Sequence, residues 1–420
     1  MSGTEQNPLT VVAEIISGRQ ADLTGLLTQL GGDPAGNDQL PLGKVNTLHF
    51  GCFVTLNGDP PHPPYLVFES NFDGDAESYL DQLTAVGLKG LVAILGHCAG
   101  FPEKATADQT KAFLLQHSVP AAAFYVACRG QSVGAIRNAI AVREEIENFL
   151  DDQQSAGALE GLSARQIHER IQAHLARPGV VSPEVSQVTA AQWAKRARRN
   201  TILLALIALP VVILLMPLIV LWLVLLRLRE HHDNTAKPLP PLPIDPRNLE
   251  NPDIHTQSHL TTMVTVRPGA IRSFSLGLVL KITSLLAHKV ALAGNLLGIP
   301  TIHFARWAMM DNNKRMIFFS NYDGSWASYL GDFVDKAKYG LTAIWGNTDR
   351  FPPSRWLVFG GAALLIPFEE WSREHNVYAP FFYRAYPSAS VANLLNDLYI
   401  RDNVGRTMNE SEAAEFLKAL

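Results

Sequence analysis

At 420 residues the chain is long enough for two or three domains. Its formal net charge of −4 excludes the strongly basic surface that nucleic-acid binding needs. Three cysteines, Cys52, Cys98 and Cys128, share no CxxC spacing, so neither a disulfide framework nor a zinc or other metal site is indicated.

The opening "MSGTEQNPLTVVAEIISG" has no basic stretch leading into an apolar core, so no secretory signal is expected there. From "LTVVAEIIS" (9–17) the chain alternates between apolar runs and turn signals. A β-branched run is followed by a helical stretch, "RQADLTGLLTQLG", that stops at Gly31-Gly32. Next come the strand "TLHFGCFVTL" (47–56), a turn of Gly and Pro, and the strand "YLVFESNFD" (65–73). "DAESYLDQLTAVG" has helical spacing and a Gly stop, and "LVAILGHC" (91–98) reads as a short apolar strand. The order β-α-β-β-α-β is that of a ferredoxin-like unit. A further helix, strand and helix carry it to residue 150.

A polar helical connector occupies 151–200. Residues 201–229 then form a membrane segment, because 201–226 contain no charge and about 20 apolar residues span a bilayer. Lys195, Arg196, Arg198 and Arg199 precede it, Arg227 and Arg229 follow it, and Trp222 lies near its end. The heavier basic cluster on the N-terminal side argues that the N-terminal unit is cytoplasmic. Pro210 and Pro217 sit inside the run and can bend it. A span, a re-entrant segment and a surface-bound segment all remain open. A Pro-rich linker, 230–259, leads to the second half.

Residues 260–420 repeat the first pattern. "LTTMVTV", "TIHFARWAMM", "KRMIFFSNYD", "SWASYLGDFVDKAKYG" and "LTAIWGNT" follow in the same order. "QHSVPAAAFYVA" returns as "EHNVYAPFFYRA", pairing His117 with His375, and Ser132-Val133 returns as Ser390-Val391. The expected fold is therefore α+β, with two ferredoxin-like units in tandem separated by a hydrophobic membrane segment. Two such sheets can cover each other as a dimeric α/β barrel, within one chain or in a homo-oligomer through the sheet faces.

Side chains alternate along a strand. On the central strands, Leu48, Phe50, Cys52 and Val54 are expected under the helices, and His49, Gly51 and Phe53 opposite. Leu66, Phe68 and Phe72 go with the core, and Glu69, Asn71 and Asp73 with the other face. The resulting ligand-pocket set is His49, Asn71 and His97 from one half, and His303, Trp307, Asn321, Trp345 and Asn347 from the other. Aromatic walls with a few polar groups suit an apolar small molecule. The bland reading stands beside this: interior histidines are more often hydrogen-bonded structural residues, and Asp73 or Asp75, and Asp323 or Ser325, suit helix N-caps.

The runs "TIHFARW", "SNYDGSWASYL", "GLTAIW" and "FYRAYP" resemble an uncharacterised bacterial membrane-associated family with such duplicated repeats. The architecture is similar, remotely, to the dimeric α/β-barrel superfamily, which includes the haem-binding dye-decolourising peroxidases and chlorite dismutases. "SNYDG" at 320–324 is similar to the Gly-x-x-Asp-Gly motif of the former, with serine for the first glycine. That resemblance implies Asp323 or Asp73 as a catalytic acid-base group and leaves the haem-ligating histidine and the accompanying arginine unassigned, with His303 or His375 and Arg350 as the candidates. Two functions follow. One is a membrane-associated ligand-binding or assembly protein with the lipid bilayer as a partner. The other is a membrane-associated haem oxidoreductase acting on a lipid-soluble substrate. No P-loop, GxSxG, HExxH or GxGxxG is present.

Overall fold

The computed structural model describes residues 4–185, 190–235, 242, 244, 245, 247, 256–296 and 298–420. Most of the Pro-rich linker therefore lies outside the described residues. The fold is mixed α+β. The first half contains β1 (Gln6–Glu14), α1 (Gln20–Gly31), β2 (Leu48–Leu56), β3 (Tyr65–Asp73), α2 (Ala76–Leu95), α3 (Ala107–Gln116), β4 (Ala121–Val126) and α4 (Val133–Ser155). The connector forms α5 (Ala164–Leu175), and the apolar run lies within α6 (Ala190–Thr235).

The second half runs through β5 (Gln257–Thr265), α7 (Ala270–Lys289), β6 (Ile302–Met310), β7 (Arg315–Asp323), α8 (Trp326–Asp332) and α9 (Lys338–Trp345). A small hairpin, β8 (Ser354–Arg355) and β9 (Phe359–Gly360), precedes α10 (Leu365–His375), β10 (Phe381–Arg384), α11 (Val391–Asn403) and α12 (Glu410–Leu417).

The two large sheets are antiparallel, and each takes its fourth strand from the other half. Their orders are β1-β3-β2-β10 and β4-β6-β7-β5. Phe381 pairs with Phe53 and Arg384 with Phe50, while Phe124 pairs with Arg306 and Val126 with Phe304. The sheets also touch at both corners. Val119 N donates to Thr10 O at 2.8 Å, and Val377 N donates to Thr261 O at 2.8 Å. The eight strands thus form a closed ring, and neither half completes its own sheet.

The runs expected to be fourth strands, 91–98 and 341–348, are instead helical over 91–95 and 341–345 and end in a turn. A short apolar run does not by itself distinguish a strand from a buried helix segment. Here Leu83, Leu91, Ile94 and Leu95 are all buried and recur at helical spacing. Gly87, read as a stop, is a kink inside α2 with φ −123° and ψ 18°. Ala337 has nearly the same backbone, φ −125° and ψ 9°, at the entry to α9. A side chain at Gly90 would meet Leu40 Cβ at 2.7 Å, so the second segment of α2 packs tightly on the preceding loop.

Strand parity is also corrected. A β-bulge between Leu48 and Phe50, and another between Ile302 and Phe304, takes each histidine out of register. A bulge adds one residue and turns the rest of the strand over. Past it, Cys52, Val54 and Leu56 face the other sheet and pack with Ala308, Met310, Ile317 and Phe319. Phe53 lies on the helix side, stacked on Phe68 with ring centroids 4.3 Å apart. The third strands follow the expected parity: Leu66, Phe68 and Phe72 join the helix-side core.

Helix α6 is 46 residues long and includes both prolines. At about 1.5 Å per residue it extends roughly 70 Å. Its middle is exposed, but both ends are held by the same body. Asn200 Nδ2 donates to Lys289 O at 3.0 Å, and Trp222 Nε1 donates to Ser275 Oγ at 3.0 Å. Beyond these, the fully buried Glu230 carboxylate accepts from Trp356 N at 2.7 Å and Leu357 N at 2.8 Å. Those two residues have φ of 52° and 69°, a left-handed turn that aims successive N–H groups at one anion. Asp233 closes the end with Arg272 at 2.6 Å and Arg267 at 3.0 Å.

Candidate functional site

Each bulge builds a buried His–Asp pair. His49 Nε2 lies 2.9 Å from Asp73 Oδ1, and Asp73 Oδ2 accepts from Val133 N at 2.8 Å. His303 Nε2 lies 2.6 Å from Asp323 Oδ1, and Asp323 Oδ2 accepts from Val391 N at 2.7 Å. The histidine carbonyls serve the exchanged strands: Ala385 N donates to His49 O, and Ala127 N to His303 O, both at 2.9 Å. Each motif therefore joins three things: a central strand, the end of an exchanged strand, and the first turn of α4 or α11. Ser132 and Ser390 are the N-caps of those helices. Asp75 and Ser325 cap α2 and α8, which decides the two alternatives left by the sequence.

The pairs differ in one partner. His49 Nδ1 lies 3.0 Å from Tyr386 Oη. Burial raises the Tyr386 hydroxyl well above its ordinary pKa, so it stays protonated beside the ring. The other ring nitrogen, His49 Nε2, faces the Asp73 carboxylate. In the second half Cys128 is the residue near Asp323, and burial pushes its thiol up to about 12. Burial likewise pushes the Cys98 thiol up to about 12 and the Cys52 thiol well above its ordinary value, so none of the three is a ready thiolate.

Between the sheets a polar network crosses the apolar interior. Asn71 Nδ2 donates to Asn321 Oδ1 at 3.0 Å and to Glu69 Oε1 at 2.7 Å. Arg306 ion-pairs with Glu69 at 2.5 Å and donates to Leu9 O at 2.8 Å and Ser70 O at 2.9 Å. Asn321 continues to His259 Nδ1 at 3.0 Å, and His259 Nε2 lies 2.7 Å from Thr261 Oγ1. Burial lowers the His259 pKa to about 4, so the ring is neutral at pH 7.

The residues expected to share one pocket therefore separate. His49 and His303 occupy the bulges, and Asn71 and Asn321 meet between the sheets. Trp307 lies on the helix side against Phe318 at 4.6 Å, and Trp345, on α9, packs on Trp371 at 5.3 Å. His97 follows α2 with Nδ1 3.0 Å from Ala93 O, and Asn347 follows α9, donating to Ala343 O at 2.8 Å. Gln6 and Gln257 were not singled out by the sequence reading. Each ties its first strand to two carbonyls, Cys128 O and Gln131 O, or Tyr386 O and Ala389 O. Their matching positions in the two halves are the signal that could have found them.

The haem implied by the peroxidase resemblance does not fit this interior. The Nε2 of His303 is tied to Asp323, and the other carboxylate oxygen of Asp323 holds Val391 N. His375 is buried at the end of α10, with Nδ1 2.7 Å from Trp371 O and its ring against Trp371. The interlocking apolar side chains occupy the space between the sheets. Among the described residues no group of three or more His, Cys, Asp or Glu could hold a metal ion.

The open ground lies elsewhere, on the outer side of α7. There a groove of about 610 Å³ separates β1 and β4 from the start of α6 and the end of α7. It is lined by Gln6, Phe124, Arg129, Trp193, Arg196 and His288, among others. Arg129 donates to Ala287 O at 2.6 Å and to His288 O at 3.3 Å, at the negative end of α7. No protein-family model, curated protein or solved structure matches the chain.

Proposed function

We propose that this chain is a membrane-associated binding or assembly protein, with its folded body on one side of a bilayer and α6 lying in the membrane surface. The observation that carries this reading is α6 itself. Its stretch from Gln192 to Asp233 has a mean hydropathy of 3.1 in its most apolar window, and none of that window is buried. A free-standing apolar surface of this size in water is unfavourable by the hydrophobic effect, and lipid removes the cost. The basic cluster before α6 favours the cytoplasmic side.

Two features support a surface-bound helix over a simple span. Strand pairing between the halves needs both halves on one side. The partners of Asn200 and Trp222 both lie on α7, which packs on β4. A simple span would place those partners at opposite faces of a core about 30 Å thick. We also propose the ferredoxin-like, dimeric α/β-barrel relationship. The order β1-α1-β2-β3-α2 and its repeat support it, with the fourth strand supplied by exchange.

Single cysteines test the topology. Lys104→Cys and Asp335→Cys lie on exposed positions of the two halves. Both are expected to react with a membrane-impermeant maleimide only after the cells are opened. Labelling of one from outside intact cells overturns the same-side reading. Recovery of the chain in the soluble fraction without detergent overturns membrane association.

A further inference from the structure

The groove at the head of α6 combines a cavity with two arginines and one indole. Arg129 is half-buried, and none of the described carboxylates pairs with it. Its guanidinium donates to the α7 carbonyls, and burial lowers its pKa to about 10. Arg196 is exposed at the groove mouth. The two guanidiniums flank one indole, 5.5 and 5.7 Å from the Trp193 ring, and Trp193 Nε1 is anchored on Ala291 O at 3.1 Å. Glu5 also lines the groove and sets a limit on how much negative charge it accepts.

The apolar run of α6 begins at Thr201, five residues after Arg196 of the groove. Ile202, Leu203, Leu206 and Ile207 are exposed on α6, and Ile282 and Leu285 on the facing helix α7. A molecule that is anionic at one end and aliphatic at the other matches that sequence of surfaces. Guanidinium groups bind phosphate oxygens through paired N–H donors, and tryptophan favours the headgroup level of a bilayer.

We propose that this groove holds the phosphate of an anionic phospholipid, with Arg129 and Arg196 as the binding cations, Trp193 as the platform and the acyl chains along α6 and α7. The proposal rests on the membrane reading above and adds a headgroup class to it. It also gives Arg129 a counter-charge that none of the described carboxylates supplies.

The test uses the full-length chain in a neutral detergent, titrated separately with dihexanoyl phosphatidylglycerol, dihexanoyl phosphatidylcholine and inorganic phosphate. Thermal unfolding gives the apparent affinity. The glycerol lipid is expected to stabilise the chain at lower concentration than the choline lipid. Arg196→Gln should weaken its binding about fivefold, the effect of one cation near an anionic headgroup, and Arg129→Gln at least as much. The exposed Arg196 serves as the variant that leaves folding intact. Equal stabilisation by the two lipids, or an unchanged titration in both variants, overturns the proposal. An equal shift with inorganic phosphate alone overturns the lipid source in favour of free phosphate. Flotation of the same preparation on neutral vesicles separates the two failures, because it reports on α6 whether or not the groove binds a headgroup.

Discussion

Asn71 and Asn321 hold matching places in the two halves of the chain, and they are hydrogen-bonded to each other at 3.0 Å across the sheet interface. A contact between matching residues marks a local two-fold relation. The same relation recurs where Arg143 of α4 reaches Asp397 of α11 at 2.7 Å, and Arg401 of α11 reaches Ala135 O of α4 at 2.8 Å. The interior of this protein is thus a joint between halves, held by polar contacts set in apolar packing.

The Glu69–Arg306 pair breaks that symmetry, because Phe319 and Cys52 stand at the matching positions. Removing one partner leaves a buried charge unmatched, which costs about 3–5 kcal/mol. Arg306→Ala and Glu69→Ala are each expected to destabilise by that amount. Arg306→Met with Glu69→Leu should recover most of the loss. Denaturant unfolding of the single and double variants checks this, and additive losses would show that the pair is not coupled.

Asp323→Ala removes both the His303 contact and the acceptor for Val391 N. Hydrogen bonds to a buried charged group contribute about 1.5–3 kcal/mol. The variant should therefore unfold about 2–4 kcal/mol more easily, and Asp73→Ala should behave alike. A loss of some catalytic turnover with unchanged stability would point instead to a reactive role.

Gly31 ends α1 directly beneath the exchanged strand. A Cβ there would lie 2.0 Å from Pro380 O and 3.0 Å from Phe381 Cα. Gly31→Ala should push β10 from β2 and cost about 1–3 kcal/mol, the usual range for overpacking. Gly25→Ala, on the same helix with open space around it, serves as the control and should be neutral or stabilising. Equal effects would argue against a tight α1–β10 contact.

Glu230 holds the 354–357 turn in its left-handed form. Glu230→Ala should release that turn and expose the bond after Arg355. Limited trypsin digestion is expected to cut there faster in the variant than in the parent chain, with the fragment mass locating the site.

Stability should fall as the medium is acidified from pH 6.5 toward 4. Burial holds the His375 and His259 pKa values near 4, against 6.5 for the free side chain. The unfolded chain therefore takes up protons in this window while the folded one does not, so stability present above pH 6.5 is lost as pH falls. For His375 the loss is about 3 kcal/mol. Asp397 works in the opposite sense, because burial raises its carboxyl to about 6 and the folded state binds its proton first. His375→Gln should flatten the pH dependence, and an unchanged profile would contradict the assignment.

The element order was largely readable in the amino-acid sequence. β3 occupies 65–73 as the alternation predicted, and the α1 stop at Gly31 and the apolar run within α6 follow from periodicity and turn chemistry. These are local properties, set by each residue's near neighbours. The candidate site was less readable. The match between "TLHF" and "TIHF" drew attention to His49 and His303, but not to the bulge that takes them out of the strand. A bulge depends on the register of the partner strand, which a single segment does not encode.

What the sequence by itself determined is a two-part α+β chain with an apolar helix and the residue types available to each strand. Only the tertiary structure decided which strand completes which sheet. β4 and β10 are compatible with either half when read alone. Long-range packing on α7 and α1, the two carbonyl–amide bonds at the bulges, and the buried Glu69–Arg306 pair select the exchanged arrangement.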